Sequence, residues 1–295
     1  MLNIIKINTL KKVFVHSGIF HSDDVFSCAM LSLMNNNIIF ERVAKAPAIL
    51  STGELCVDIG FGEYDHHQSK KAFRKDGTVY SSFGLLFRDF GKEFLSTADI
   101  ITDVKAINAI YKYLDDTFVI KIDLIDNTGN KRYDIPETVC IRNLNKQWFE
   151  PDNVNNVNFI NAVKIAKILL LNRIKEAETD VIYFKIAKRV WENAIKNLKG
   201  NYIILRHYIP WKEFYSAENY PDIQFIILPN ERGGFSVISV DSEKYPINNL
   251  TSKEIFIHNS RYMAVVNSLE NAKKLSLLNL KGINHNEQNN KYIEP

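Results

Sequence analysis

Two periods of apolar and polar positions alternate along the first half of this chain. Residues 12–18, KVFVHSG, form a short β-rich run closed by Gly18. The next stretch, SDDVFSCAMLSLM, repeats apolar side chains at Val25, Phe26, Met30, Leu31 and Met34, close to helical spacing. Two further strands are read at 38–44 (IIFERVA) and 54–60 (ELCVDIG), the second passing Asp58 just before a glycine. Strands alternating with helices predict a mostly parallel sheet, in which ligands gather at the carboxyl ends of the strands. Helices are expected from Val79 to about Leu95 and from about Thr102 to Ile125, with two more amphipathic stretches at 159–177 and 182–198. From Gly200 the pattern changes to short strands, NYIILRH, IQFIILP, FSVISV and IFIH, followed by a helix at 268–278. The expected organisation is an α/β domain with a helical extension over 1–199, a smaller α+β domain over 200–280, and a loosely ordered polar tail over 281–295.

Composition changes this picture little. The 295 residues, 46 % hydrophobic and 24 % charged, can bury a sizeable core in two domains. A net charge of +3, from 37 basic against 34 acidic residues, does not argue nucleic-acid binding by itself. Cys28, Cys56 and Cys140 are far apart and form no CxxC pair, so they read as small core residues of a reducing compartment rather than disulfide or zinc ligands. The opening MLNIIKINTLKK lacks a cleavable leader pattern, and no apolar run approaches the ~20 residues of a membrane span. A soluble, cytoplasmic protein without membrane contact is expected, its oligomeric state left open.

Chemistry enters with the histidines, four of whose seven fall within the first 67 residues. His16 and His21 suit a loop closing over a strand end, while Ser22 is placed to cap the following helix, with Asp23 and Asp24 in its first turn. A second cluster, CVDIGFGEYDHHQ, supplies Asp58 at a strand end and Asp65, His66 and His67 beyond it. Carboxylates mixed with imidazoles suit Mn²⁺, Fe²⁺, Co²⁺ or Zn²⁺ better than Ca²⁺. At least six candidate ligands exceed what one structural ion needs, and two ions sharing a carboxylate are typical of phosphoryl hydrolysis. SKKAFRK then adds Lys70, Lys71, Arg74 and Lys75 where phosphate would approach, with Phe73 as an aromatic that either stacks a base or anchors the loop.

HSGIFHSDD, VDIG and DHHQ resemble the successive motifs of the DHH phosphoesterase superfamily. Within it, YSSFGLLF, IDLIDNTGN, IPWKEFY and IFIHNS extend the likeness to the melanocyte proliferating gene family of metal-dependent hydrolases, described in eukaryotes as 3′–5′ RNA exonucleases. The resemblance implies a parallel-sheet metal domain and a smaller α+β domain with the active site in the cleft between them. It also implies two divalent ions, Mn²⁺ first and Mg²⁺, Co²⁺ or Zn²⁺ as alternatives. His16, His21 and Asp58 would hold one ion, and Asp23, Asp58, His66 and a later aspartate the other, favoured as Asp126 with Asp123 as the fallback. His67 and Asp24 would serve catalysis by metal-activated hydroxide, with Asp65 orienting a histidine. Lys71, Arg74, His258 and Arg261 would meet the substrate. The substrate expected is RNA or a short oligonucleotide; the alternatives are a small nucleotide or pyrophosphate, or a non-catalytic metal-stabilised binding module. One departure stands out: the glycine-rich segment expected after His258 carries Arg261 and Tyr262 instead. Trp211 of IPWKEFY is expected in the core.

Overall fold

The computed structural model describes residues 6–97, 101, 103–151, 153–198 and 200–280. The expected tail, 281–295, lies outside the described residues. The chain divides into two compact units, Met1–Ile182 and Tyr183–Pro295.

In the first unit, β1 (Lys12–His16) lies between β2 (Ile39–Val43) and β3 (Glu54–Cys56), all parallel. Val13 and Val15 are fully buried on this central strand. Helix α1 (Ser22–Met34) is buried on every side through Leu31, which explains its near-continuous apolar sequence after the two aspartates. It packs on α2 (Ser82–Ser96) and on the long α6 (Val154–Glu178). Phe26, Phe83, Phe87 and Phe118 fill the space between them without exposure above 1 %, and the rings of Phe26 and Phe118 meet edge to face at 5.2 Å. The helix expected over 102–125 is broken: α3 (Ile107–Leu114) runs through a wider turn at Asp115–Val119 into α4 (Ile120–Thr128), which stops at Gly129 in the left-handed conformation (φ 62°). A short helix not read from the sequence, α5 (Pro136–Asn143), follows.

The second unit begins with α7 (Phe184–Lys196), which buries Ala187 and Trp191 against Ile203, Ile226 and Trp211. This apolar face moves the boundary to 182/183 from the expected 199/200. The sheet behind it runs β4 (Tyr202–Ile204), β5 (Phe225–Pro229), β6 (Phe235–Ser239), β8 (Met263–Val266) and β7 (Glu254–Ile257) in spatial order. Only β4–β5 is parallel, and α8 (Leu269–Leu278) covers one face through Ala272 and Leu275. The segment over 182–198 was expected to extend the first domain, and β8 lies in a stretch read as a substrate loop.

One helical stretch, Val154–Lys196, contains an 18-residue window with a mean hydropathy of 1.2, enough by length and composition to cross a membrane. That corrects the expectation of no such segment. Phe159, Ala162, Ala166, Leu170 and Ile174 of its first part lie buried in the core of the first unit.

Candidate metal centre

His16 is the last residue of β1, His21 precedes the first turn of α1, Asp23 and Asp24 occupy that turn, and Asp58 follows β3. The fold therefore delivers all five to the carboxyl edge of the sheet, where α1 and α2 begin. The helix start differs from expectation in one detail: Ser22 is already helical and His21 is the capping position, its backbone N–H donating to Asp24 Oδ1 at 3.1 Å. Asp58 sits in the left-handed region (φ 57°), a strained backbone that aspartate tolerates better than most residues. Its N–H donates to Tyr64 O at 3.0 Å, so the loop that closes on it fixes the turn.

Imidazoles and carboxylates interleave here. His16 Nε2 is 3.1 Å from Asp24 Oδ2 and 3.3 Å from Asp58 Oδ2. His66 Nε2 lies 3.2 Å from Asp58 Oδ1, 3.0 Å from Asp126 Oδ2 and 3.9 Å from Asp23 Oδ2. His67 Nδ1 is 2.9 Å from Asp65 Oδ1, which also accepts the His67 N–H, and 3.5 Å from Asp58 Oδ1. Asp65 thus orients His67. Among the described residues, three groups bring one ligand atom from each member within 4.8 Å of the others: His16, His21 and Asp58; Asp58, His66 and His67; and His21, Asp23 and Asp126. The first is the set expected for one ion. The other two place His67 among the candidate ligands and let His21 serve on both sides of the cluster.

Asp23, Asp24 and Asp58 share one arrangement. One oxygen is anchored: Asp23 Oδ2 accepts Ser82 N–H at 3.3 Å, Asp24 Oδ1 accepts His21 N–H, and Asp58 Oδ1 accepts Ser82 Oγ–H at 2.9 Å. The second oxygens, Asp23 Oδ1, Asp24 Oδ2 and Asp58 Oδ2, and likewise Asp126 Oδ2, are buried away from backbone and hydroxyl donors; Asp24 Oδ2 and Asp58 Oδ2 face His16 Nε2, and Asp126 Oδ2 faces His66 Nε2. Four buried oxygens left in this way fit a cation of hard-to-borderline character.

Electrostatics agree. Burial and the neighbouring Asp126, Asp58 and Asp24 push the Asp23 carboxyl well above its ordinary range, and burial likewise raises Asp24 and Asp126. Burial would raise Asp58 too, but hydrogen bonds from His16 and His66 overcome it and hold this carboxyl below the usual range. His16, despite burial, is pushed up to about 11 by Asp24 and Asp58, and His66 is raised by Asp58 and Asp126.

Asp123, the fallback ligand, is otherwise engaged. It accepts from Ser81 N (2.9 Å), Ser81 Oγ (2.7 Å) and Arg74 Nε (2.6 Å), packed so tightly on α2 that a side chain at Gly84 would collide with it. Arg74 is accordingly not extended toward substrate: its side chain is 7 % exposed, and it bridges Asp123 and Asp115 (2.8 Å). Lys71 is exposed and lines a cavity of about 210 Å³ with Lys70, Arg88, Asp65 and His66. In the second unit, His258 closes β7, with its Nδ1 2.8 Å from Ser260 Oγ, and Arg261 takes the left-handed backbone (φ 58°) of the tight turn into β8. Trp211 is buried, 4 % exposed.

Several positioning groups escape a motif reading. Asn127 Oδ1 faces His66 Nδ1 at 3.3 Å while its Nδ2 donates to Val79 O and Asp123 O, fixing the imidazole. Arg42, the next-to-last residue of β2 and stacked 4.8 Å over the Phe159 ring, donates to His16 O (3.3 Å) and Gly18 O (2.7 Å). Asn145 pairs with both backbone groups of Phe20. These side chains clamp the loop between His16 and His21. The signal available for Arg42 is a lone cation inside an otherwise β-forming run.

The family model described as an uncharacterised protein family (UPF0160), MYG1_exonuc, matches residues 12–252. The chain belongs to this family. The matched MYG1 span includes every candidate metal ligand from His16 to Asp126 and ends before His258 and Arg261. The chain is 27 % identical over 266 residues to the MYG1 protein of Dictyostelium discoideum, covering 77 % of this chain and 78 % of that one. It is 22 % identical over 324 aligned positions to the MYG1 protein YER156C of Saccharomyces cerevisiae, covering 92 % and 96 %. The MYG1 exonuclease of Homo sapiens aligns over 188 residues at 28 % identity, 55 % of this chain and 50 % of that one, so the match spans about half the length of the mammalian relatives. No solved structure matches the chain.

Proposed function

We propose that this MYG1 family member is a metal-dependent phosphodiesterase that acts as an exonuclease on RNA or short oligonucleotides. The observation that carries the reading is the gathering of Asp23, Asp24, Asp58 and Asp126, each with a buried oxygen that no backbone N–H and no hydroxyl meets, around His16, His21, His66 and His67. The name exonuclease borne by the mammalian relatives supports the reaction class, as does the resemblance of the motifs to DHH phosphoesterases.

His16, His21 and Asp58 would hold one divalent ion and Asp58, His66, Asp23 and Asp126 a second, Mn²⁺ being the ion of choice. Such a centre supplies charge neutralisation at phosphoryl oxygens and makes water a nucleophile near neutral pH. His67, held by Asp65 and exposed on its far side, donates a hydrogen bond to a phosphoryl oxygen as charge develops there. Asp24 lies 3.1 Å from His16 Nε2, the nitrogen that faces Asp58, while Ser17 O, 3.0 Å from Nδ1, orients the ring. Lys70 and Lys71, beside His66, attract the polyanion toward the cluster.

Metal content and Mn²⁺-dependent hydrolysis of bis-p-nitrophenyl phosphate and a 3′-labelled RNA test this reading. Two ions per chain and cleavage of both substrates are expected. At most one ion, with neither substrate cut, overturns it.

A further inference from the structure

A second cavity, of about 310 Å³, has none of the lysines of the first among its lining residues and shares His21 and Asp126 with the cluster. Its character differs from that of the first. Ile19, Phe20 and Ile125 form its walls, and Arg142, also on the wall, is held by both oxygens of Asp134 (2.7 and 2.8 Å). The cationic group left at the rim is Lys131, exposed just beyond Gly129. Ile19 is half exposed (50 %) although the loop around it is clamped on both sides, by Arg42 at Gly18 and by Asn145 at Phe20. A large apolar side chain is thus held in place on a slot whose lining includes two candidate metal ligands.

We propose that this slot receives the base of the nucleotide at the scissile phosphate, so that the substrate lies across the cluster with a nucleoside in the apolar cavity and the rest of the polyanion along Lys70 and Lys71. This rests on the phosphodiesterase reading and gives it a substrate class: nucleoside phosphates in preference to base-free phosphates. The volume lies at the lower end of small-ligand pockets, room for one nucleoside and no more. Apolar walls accept the faces of any base, so recognition here is of a flat ring and not of sequence. Lys131 is placed to meet an adjacent phosphate as a point charge.

Calorimetric titration of the whole chain in Mn²⁺ with AMP, ribose 5-phosphate and inorganic phosphate tests the slot. AMP is expected to bind at least about tenfold more tightly than ribose 5-phosphate, the ratio that burial of an apolar ring face supports. Ile19→Asp, at a half-exposed loop position that endangers no core, is expected to erase that ratio while ribose 5-phosphate still binds. If ribose 5-phosphate binds as well as AMP, or if Ile19→Asp keeps the full preference, the slot assignment falls and the phosphodiesterase reading stands. If none of the three binds and bis-p-nitrophenyl phosphate is not hydrolysed, both fall together.

Discussion

Asp58→Asn isolates the carboxylate on which the centre turns. Asparagine tolerates the left-handed backbone at this position (φ 57°) about as well as aspartate does. Its amide oxygen can keep the hydrogen bond from Ser82 Oγ (2.9 Å), so the fold is expected to survive. Without metal the substitution acts in two directions. It removes a partner that keeps His16 and His66 protonated, and it relieves the repulsion that helps raise Asp23, Asp24 and Asp126. The metal-free protein is therefore expected to change by no more than about 1 kcal/mol. With metal the two effects no longer oppose each other, because Asp58 belongs to two of the three candidate ligand groups. Loss of a shared ligand should weaken binding by at least the ~100-fold seen when strong orienting groups are removed. At a Mn²⁺ concentration about 100 times the wild-type Kd, binding stabilises by about 2.7 kcal/mol; after a 100-fold loss the gain is about 0.4 kcal/mol. Each kcal/mol corresponds to about 2–4 °C for a protein of this size, so a Mn²⁺-induced shift of about 5–11 °C should fall to about 1–2 °C. Thermal melts at fixed Mn²⁺, with circular dichroism to verify the fold, read this directly. A variant that kept the whole shift would refute the bridging role of Asp58.

The pH dependence has a definite sign. Asp23, Asp24 and Asp126 titrate above their ordinary value of 3.8, so the metal-free protein loses stability as pH rises from there through their raised values; His16, raised from 6.5 to about 11, contributes stability below 6.5 that is lost as pH rises toward 11. Bound ions displace these protons, so the Mn²⁺-induced shift in Tm should be larger at pH 8 than at pH 6, and an equal shift at both would contradict the assignment. Asp123→Asn breaks one arm of the buried Arg74 bridge while leaving Asp115 as partner; a loss of about 2–3 kcal/mol is expected in chemical denaturation, with the Mn²⁺ shift unchanged. If the shift disappears, Asp123 and not only Asp126 holds metal. Arg42→Lys cannot span His16 O and Gly18 O with one planar fork, and a Mn²⁺ titration should show about tenfold weaker binding; unaltered affinity would make the clamp purely a folding device.

The candidate centre is legible in sequence because its candidate ligands sit at element ends that short patterns mark. A β-rich run ending at His16, a helix start at Asp23 and a strand end at Asp58 are local features, and a parallel sheet brings such ends together. Asp123 against Asp126 is not a local question, since both lie on α4 one turn apart. Ser81 and Arg74, 42 and 49 positions upstream of Asp123, surround that residue and bear on the question. For the same reason Arg74 reads as one more cation in SKKAFRK until its buried partners are seen. The unit boundary was obscured by α7, whose pattern matches the helix before it; only the burial of Trp191 against Ile203 and Ile226 assigns it to the second unit. At Arg261 a motif departure looks like an obstruction, yet the structure places it in a left-handed turn, the backbone that glycine would adopt without strain.

The anchored oxygens carry the electrostatic argument furthest. Burying several carboxylates at the start of two helices is tolerable in part because the N–H groups of His21 and Ser82 each satisfy one oxygen. The opposite oxygens need positive charge, and the guanidinium groups of Arg42 and Arg74 are turned elsewhere: Arg42 to backbone oxygens at His16 and Gly18, Arg74 to Asp115 and Asp123. Imidazolium from His16 and His66 compensates Asp58 well enough to hold its carboxyl below the usual range, but Asp23, 0 % exposed, has no imidazole nearer than 3.9 Å, and burial with its carboxylate neighbours holds it well above that range. A fold needing only stability would not retain that arrangement, because an apolar pair in the same space is commonly as stable or more so. Divalent cations would resolve it with the side chains where they stand, displacing protons from the cluster and meeting the buried oxygens that no backbone or hydroxyl donor reaches.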